Sequence, residues 1–312
     1  MSSPENPTEA VLLATYNGEK YIIEQLESIR NQTYSNFKCY IHDDGSKDGT
    51  CRLLEEYCSQ NPENFKLVEG LPCGGSKNNF FFLLSSITDE SYIMFCDQDD
   101  YWLPEKIEIS LKTLQEEEQE KDEPICVYSD MEVVNSSLET IDSSYYHYSG
   151  ADPYKNDLKS LLMTNVVAGC TMMINRALAD KGSAEVPHEL LYMHDWWLAL
   201  LASAFGKVIY IDKPLLKYRQ HMNNVLGAYQ KKRTMKRLMD FITFKNWKKN
   251  RSIMQMSVNF SKALDMVLDE SDYKGLIHEM SEINEHSWFY QARFFVSKGL
   301  IPINKFWRIF YL

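Results

Sequence analysis

Three carboxylates fall within four positions at Asp97-Gln98-Asp99-Asp100, directly after the apolar run Tyr92-Ile93-Met94-Phe95. A short apolar run bounded by polar residues reads as a buried strand, which puts the acids at a strand's end. Negative charge massed at the mouth of a sheet is costly unless a cation neutralises it. If the strand continues, Asp97 and Asp99 share one side while Asp100 turns to the other. So few hard oxygen donors suit Mg²⁺ or Mn²⁺, with water and a phosphate completing the shell. A solvated acidic turn, with Asp100 capping a helix that begins near Pro104 and Glu105, is the competing reading. The surrounding elements must decide between the two.

Those elements alternate in type. Ala10-Val11-Leu12-Leu13-Ala14 reads as a strand buried on both faces, ending at Thr15-Tyr16-Asn17-Gly18. A helix over about 19–31 follows, with Tyr21, Ile22, Leu26 and Ile29 on one face. A second strand, Phe37-Lys38-Cys39-Tyr40-Ile41, runs into His42-Asp43-Asp44-Gly45-Ser46-Lys47-Asp48-Gly49-Thr50, a turn ahead of another helix. Phe65-Lys66-Leu67-Val68 is a third strand, and Cys73-Gly74-Gly75-Ser76 opens the next helix. Strand, loop and helix repeated in this way imply a parallel sheet covered on both faces. Ligands of such sheets bind beyond the carboxyl ends of the strands, where the strand order reverses. Thr15-Asn17, Asp43-Asp44 and Asp97-Asp99 then converge on one crevice. Two rival nucleotide sites are excluded: neither G-x-G-x-x-G nor G-x-x-x-x-G-K-[ST] occurs after a strand.

Taken jointly, Thr15-Tyr16-Asn17, Asp43-Asp44-Gly45-Ser46-x-Asp48-x-Thr50 and Asp97-Gln98-Asp99-Asp100-x-Trp102-x-Pro104 resemble family 2 glycosyltransferases with the GT-A fold. The form Phe95-Cys96-Asp97-Gln98-Asp99-Asp100-x-Trp102-Leu103-Pro104-x-Lys106 is most similar to bacterial rhamnosyltransferase-like members that build surface polysaccharide. The resemblance spans about residues 9–225. It implies a Rossmann-like, mostly parallel sheet flanked by helices. It also implies inverting transfer from a nucleotide-diphospho-sugar, with dTDP-rhamnose as the donor and a lipid-linked or growing polysaccharide as the acceptor. In that reading Thr15, Tyr16, Asn17, Asp44, Asn79 and Asp97 contact the nucleotide-sugar, Asp44 through a pyrimidine base. Asp99 holds the metal with Asp97, Arg219 contacts phosphate, and His221 is a further metal ligand. Asp195, in Met193-His194-Asp195-Trp196-Trp197, becomes the general base that takes the acceptor's proton.

Structural alternatives stay open beside these roles. An Asp in a first helical turn is favourable by dipole alone. His194 reads as a hydrogen-bonded structural histidine. The stretch 143–150, with Tyr145, Tyr146, His147 and Tyr148, is a loop over the acceptor or one tucked on the core. A non-catalytic glycan- or nucleotide-binding module and a membrane-associated scaffold are the rival functions.

At 312 residues the chain accommodates a catalytic α/β domain over 1–226 and a helical extension over 227–312. Met1 to Glu9 are polar, with two prolines, and read as a short tail rather than a signal peptide. No run of eighteen apolar residues occurs, so no bilayer-spanning helix is expected. Seven cysteines without C-x-x-C spacing point to reduced thiols, a cytoplasmic location and no structural zinc. The net charge of −11 argues against nucleic acid as a partner. Between Lys231 and Arg251, however, nine basic residues face Asp240 alone, a local +8. Leu238, Met239, Phe241, Ile242, Phe244 and Trp247 supply the apolar complement of an amphipathic helix over 229–256. Such a helix lies on the inner face of the plasma membrane, or packs on the catalytic domain or a second subunit. The tail Phe306 to Leu312 is apolar enough to need a protein or lipid partner.

Overall fold

The computed structural model describes residues 9–120, 122–183, 186–220, 244–268 and 272–300. His221, the basic stretch 229–243 and the tail 306–312 lie outside the described residues. Strand β1 (Glu9–Thr15) is central to a nine-stranded sheet, and its residues Ala10 to Leu13 are fully buried. It pairs in parallel with β2 (Phe37–Asp43) on one side and β4 (Tyr92–Asp97) on the other. β3 (Phe65–Leu67) extends the β2 edge in parallel. The chain thus winds outward from β1 to β3, then crosses back to β4. The strand order reverses between β1 and β4, and their carboxyl ends flank a crevice.

Beyond β4 the sheet is mixed. β8 (Met172–Asn175) runs antiparallel between β4 and β6 (Ile125–Val134). β9 (Lys207–Arg219) is parallel to β6 and carries β5 (Tyr101–Trp102) antiparallel at the edge, and β7 (Thr140–Asp142) folds back on β6. Six of the nine strands, β1 to β4, β6 and β9, run in one direction and β5, β7 and β8 oppose them, so the sheet is mostly parallel as expected. Apolar runs mark strands but carry no direction, so the antiparallel insertion of β8 between β4 and β6 left no local signal. The apolar runs 208–211 and 215–218 belong to one thirteen-residue strand, β9. Its register against β6 shifts where Asp130 faces Pro214, a residue with no N–H to give the ladder.

Helices cover both faces. α1 (Ile22–Arg30), α2 (Thr50–Gln60) and α4 (Lys106–Glu117) bury Leu26, Leu54 and Leu111 against Val11, Cys39 and Met94. On the other face lie α3 (Ser76–Ser85), α6 (Leu158–Met163), α7 (Arg176–Gly182) and α8 (His194–Phe205). Trp196 to Ala202 of α8 are all buried, the mark of a helix enclosed on every side. The stretch 143–150 is tucked in: α5 (Tyr145–Ser149) buries Tyr146, whose hydroxyl donates to the Val166 carbonyl at 2.7 Å.

The described part of the extension, α9 (Phe244–Val267), α10 (Lys274–Ser281) and α11 (Trp288–Ser297), packs on this same face. Val258, Phe260, Ala263 and Leu264 of α9 join the core of α6 and α8, and the Phe260 ring lies 5.1 Å from that of Trp196. No helix among the described residues is long and apolar enough to cross a membrane. Because Phe260 is fully buried, Phe260→Ala should cost ~3–5 kcal/mol of stability, still in one cooperative transition, measured by guanidinium unfolding. An earlier, separate melting of the helices would show that they do not share the core of the sheet and its helices.

Candidate active site

At the carboxyl ends of β1, β2 and β4 a cavity of about 510 Å³ opens, lined by Thr15, Tyr16, Asp44, Asn79, Asp97 and Asp99 among others. Three loops therefore meet as the spacing suggested. The adjacent acids Asp43 and Asp44 have different tasks. The Asp43 carboxylate closes its own turn, accepting from Gly45 N at 3.1 Å, Ser46 N at 2.7 Å and the Thr15 hydroxyl at 2.8 Å. Asp44 reaches across to the loop before α3, where the backbone N–H groups of Cys73, Gly74 and Gly75 all donate to it. Gly74 and Gly75 supply that nest because φ values of 80° and 134° are strained for any residue with a Cβ. Asp44 is thereby fixed at the cavity wall.

Other expected contacts shape the walls with polar groups already engaged. Asn79 is buried, its amide oxygen 2.7 Å from His42 Nδ1 and its nitrogen donating to the His42 carbonyl. Tyr16 is exposed, and its main chain is gripped in both directions by the Gln98 amide at 2.8 and 2.9 Å. Asn17, at φ 49°, accepts from Lys47 N and donates its own N–H to the Ser46 hydroxyl. It pins the neighbouring loop and does not line the cavity. Gln98 of the acidic motif makes this double clasp with a partner 82 positions away, which sequence spacing does not reveal.

The acidic turn keeps Asp97 and Asp99 at the cavity and turns Asp100 away from it into the core, although β4 itself ends at Asp97 and the chain bends there. Ligand-capable atoms of Asp97, Asp100 and Cys170 lie within 4.8 Å of one another. Asp100 is fully buried, and its pKa is raised by burial first and then by the charges of Asp99 and Asp97. Burial raises the Cys170 thiol as well. A protonated carboxyl and a protonated thiol are poor donors to a hard cation, whereas Asp97 and Asp99 face the cavity. Burial, then the charges of Asp99 and Asp195, push Asp97 up to about 7. Carboxylates crowded in this way fit a divalent ion, which takes the place of the retained proton.

Arg219 corrects an expectation. Its side chain is 2% exposed, with Nε donating to the Asp99 carbonyl at 2.8 Å, Nη1 to the Ser136 carbonyl at 2.7 Å, and Nη2 to the Glu24 carboxylate. Its guanidinium lies 4.5 Å over the Tyr21 ring, and its backbone N–H donates to Asp100 at 3.2 Å. It clamps the acidic turn from behind instead of facing a phosphate. Lys106 is also buried, 4.7 Å over the Trp102 ring, and burial lowers its pKa to about 8.

Asp195 opens α8 with one oxygen accepting from Gly169 N at 2.9 Å and the other from Trp196 N at 2.6 Å. Gly169 allows this approach, since a Cβ there would stand 2.9 Å from His194 Nε2. Burial raises Asp195 to about 6 against the pull of those two N–H donors. His194 is structural but not hydrogen-bonded among the described residues: it packs 4.1 Å from the Phe80 ring and 4.9 Å from Phe95. Burial holds it neutral, with a pKa near 3. Asp195 borders a second cavity of about 350 Å³, and Tyr218 lines both cavities. Nothing in the sequence marked Tyr218; its place follows from the register of β9 on β6.

Residues 10–181 match the family described as Glycosyl transferase family 2. The dTDP-rhamnosyl transferase RfbG of Shigella flexneri is 30% identical over 234 residues, 69% of this chain and 74% of that one. Among solved structures, TarS of S. aureus in complex with UDP-GlcNAc is similar at TM-score 0.57 and 18% identity, covering 92% of this chain and 71% of its own. The mannosyltransferase PcManGT of Pyrobaculum calidifontis, in complex with GDP-Man and Mn²⁺, is similar at TM-score 0.54 and 15% identity, covering 98% and 79%. With the family pattern laid over β1 to α7 and a sheet of GT-A architecture beneath it, the chain belongs to glycosyl transferase family 2.

Proposed function

We propose that this glycosyltransferase is inverting and divalent-metal-dependent, moving rhamnose from dTDP-rhamnose to a glycan acceptor, lipid-linked or part of a growing polysaccharide. The observation that carries the reading is the pair of cavities sharing Tyr218, one bordered by Asp97 and Asp99, the other by Asp195. The larger takes the donor: Asp44 faces the pyrimidine base, and the diphosphate lies toward Asp97 and Asp99. A bound Mg²⁺ or Mn²⁺ would neutralise charge developing on the leaving diphosphate. Asp97 and Asp99 would hold it, with His221 as a further ligand from outside the described residues. The smaller cavity takes the acceptor, whose hydroxyl gives its proton to Asp195 as the new bond forms. The donor sugar rests on the likeness to the Shigella enzyme's stated activity.

A base with a pKa near 6 is ionised and ready at neutral pH, and stronger than an ordinary carboxylate. Transfer should therefore rise with pH through about 6 to a plateau. Asp195→Asn should lower kcat by ~10²–10⁴-fold and leave nucleotide affinity unchanged. Initial rates and nucleotide titrations check both, and an active Asp195→Asn enzyme would remove this base from the scheme.

Proton and ion compete at the acidic turn. Folded Asp97 keeps its proton to about 7, whereas unfolded Asp loses it near ~4, so this group's contribution to stability falls as pH rises between those values. His194 acts in the opposite sense: burial of the neutral ring costs stability as pH falls below ~6.5, with or without an ion. The increase in Tm caused by Mn²⁺ should thus be larger at pH 8 than at pH 5, and largely lost in Asp99→Asn. Equal increases at both pH values, by scanning fluorimetry, would contradict a metal held by these carboxylates.

A further inference from the structure

The smaller cavity takes part of its wall from beyond the residues that match the family pattern. Ile253 and Met256 of α9 line it together with Tyr145, Met163, Trp196 and Tyr218. The wall is fixed in place: Ser257, next to Met256, donates to the Leu162 carbonyl, and the Phe260 ring packs on Trp196. Apart from Asp195, no acid, Lys, Arg or His lines this cavity among the described residues. Aliphatic, thioether and aromatic surfaces make up most of the wall around this one carboxylate, with Thr164, Asn165 and Cys170 as its other polar side chains besides the tyrosines.

Building on the transferase reading, we propose that the Ile253–Met256 turn of α9 selects the acceptor. It admits an uncharged sugar with a C–H-rich face, such as a 6-deoxyhexose, and rejects a uronate. Methionine adapts to an irregular apolar face, and tyrosine rings offer apolar surface with a polar tip for hydroxyls. A pocket built on such contacts discriminates against a poorer fit to its apolar wall. A uronate carboxylate would be desolvated beside Asp195, and among the described residues no cation in the wall would pair it. The extension is then part of the acceptor site.

The test uses the full chain labelled with ¹³C-methyl methionine, the Met256 signal being identified by its loss in Met256→Ala. Methyl α-rhamnoside should shift that signal, and methyl glucuronide should not. In transfer assays Met256→Ala should raise the KM for a rhamnoside acceptor about tenfold with a much smaller change in kcat. Met256→Lys should move the preference toward the glucuronide. Met266→Ala, on the same helix but 59% exposed, should behave as wild type. A Met256 signal unmoved by saturating rhamnoside, or an acceptor preference untouched by both Met256 variants, would overturn the assignment. If the wild type cleaves no sugar nucleotide, the transferase reading fails, while the methyl signal still decides the role of α9.

Discussion

Negative charge accumulated at the end of β4 is the constraint that the surrounding structure answers. Asp97, Asp99 and Asp100 stand within four residues, with Asp195 close enough to add to the strain on Asp97. The protein relieves this crowding in two ways. Asp100 withdraws into the core, where burial favours its neutral form, and the Arg219 backbone N–H donates to its carboxyl while the Arg219 side chain holds the Asp99 carbonyl. That leaves Asp97 and Asp99 at the cavity, where a divalent ion and a diphosphate would complete the balance of charge. A surface turn with the same three acids would need none of this support.

Arg219 and Gln98 show how the site is held rather than merely assembled. The Arg219 fork joins Glu24 of α1, the carbonyl of Asp99 and the carbonyl of Ser136, so three separate segments share one side chain. Removing the fork would leave the Asp99 and Ser136 carbonyls without this donor, whereas Glu24, 46% exposed, would keep its water. Gln98 does the neutral equivalent, locking the Tyr16 backbone to the acidic turn through both ends of its amide. Gly169 completes the frame on the opposite side by letting its N–H approach Asp195. Preorganisation of this kind keeps the base and the acids in place before any ligand arrives.

Much of this was legible in the residues. Buried apolar runs located β1, β2 and β4, and the polar clusters after them named the crevice, because side chains following parallel strands must emerge at the same edge. The bend after Asp97, which buries Asp100 near Cys170, was hidden, since strand alternation says nothing once the strand has ended. Arg219 was misjudged for a related reason: an Arg near an expected phosphate suggests a contact, but Glu24, 195 positions earlier, claims it. The antiparallel β8 and the docking of α9 depend on long-range pairing that local pattern does not encode. Met256 looked like the end of a basic amphipathic helix, and only its neighbours in space make it a wall of the smaller cavity.

The claim on which the rest depends is that Asp97 and Asp99 bind a nucleoside diphosphate through a shared divalent ion. Isothermal titration of dTDP into the protein, with Mn²⁺ and then with the ion chelated, examines it most directly. Binding that requires Mn²⁺ and is lost in Asp99→Asn is the predicted result. Binding of equal affinity without the ion, or unchanged in that variant, would contradict it.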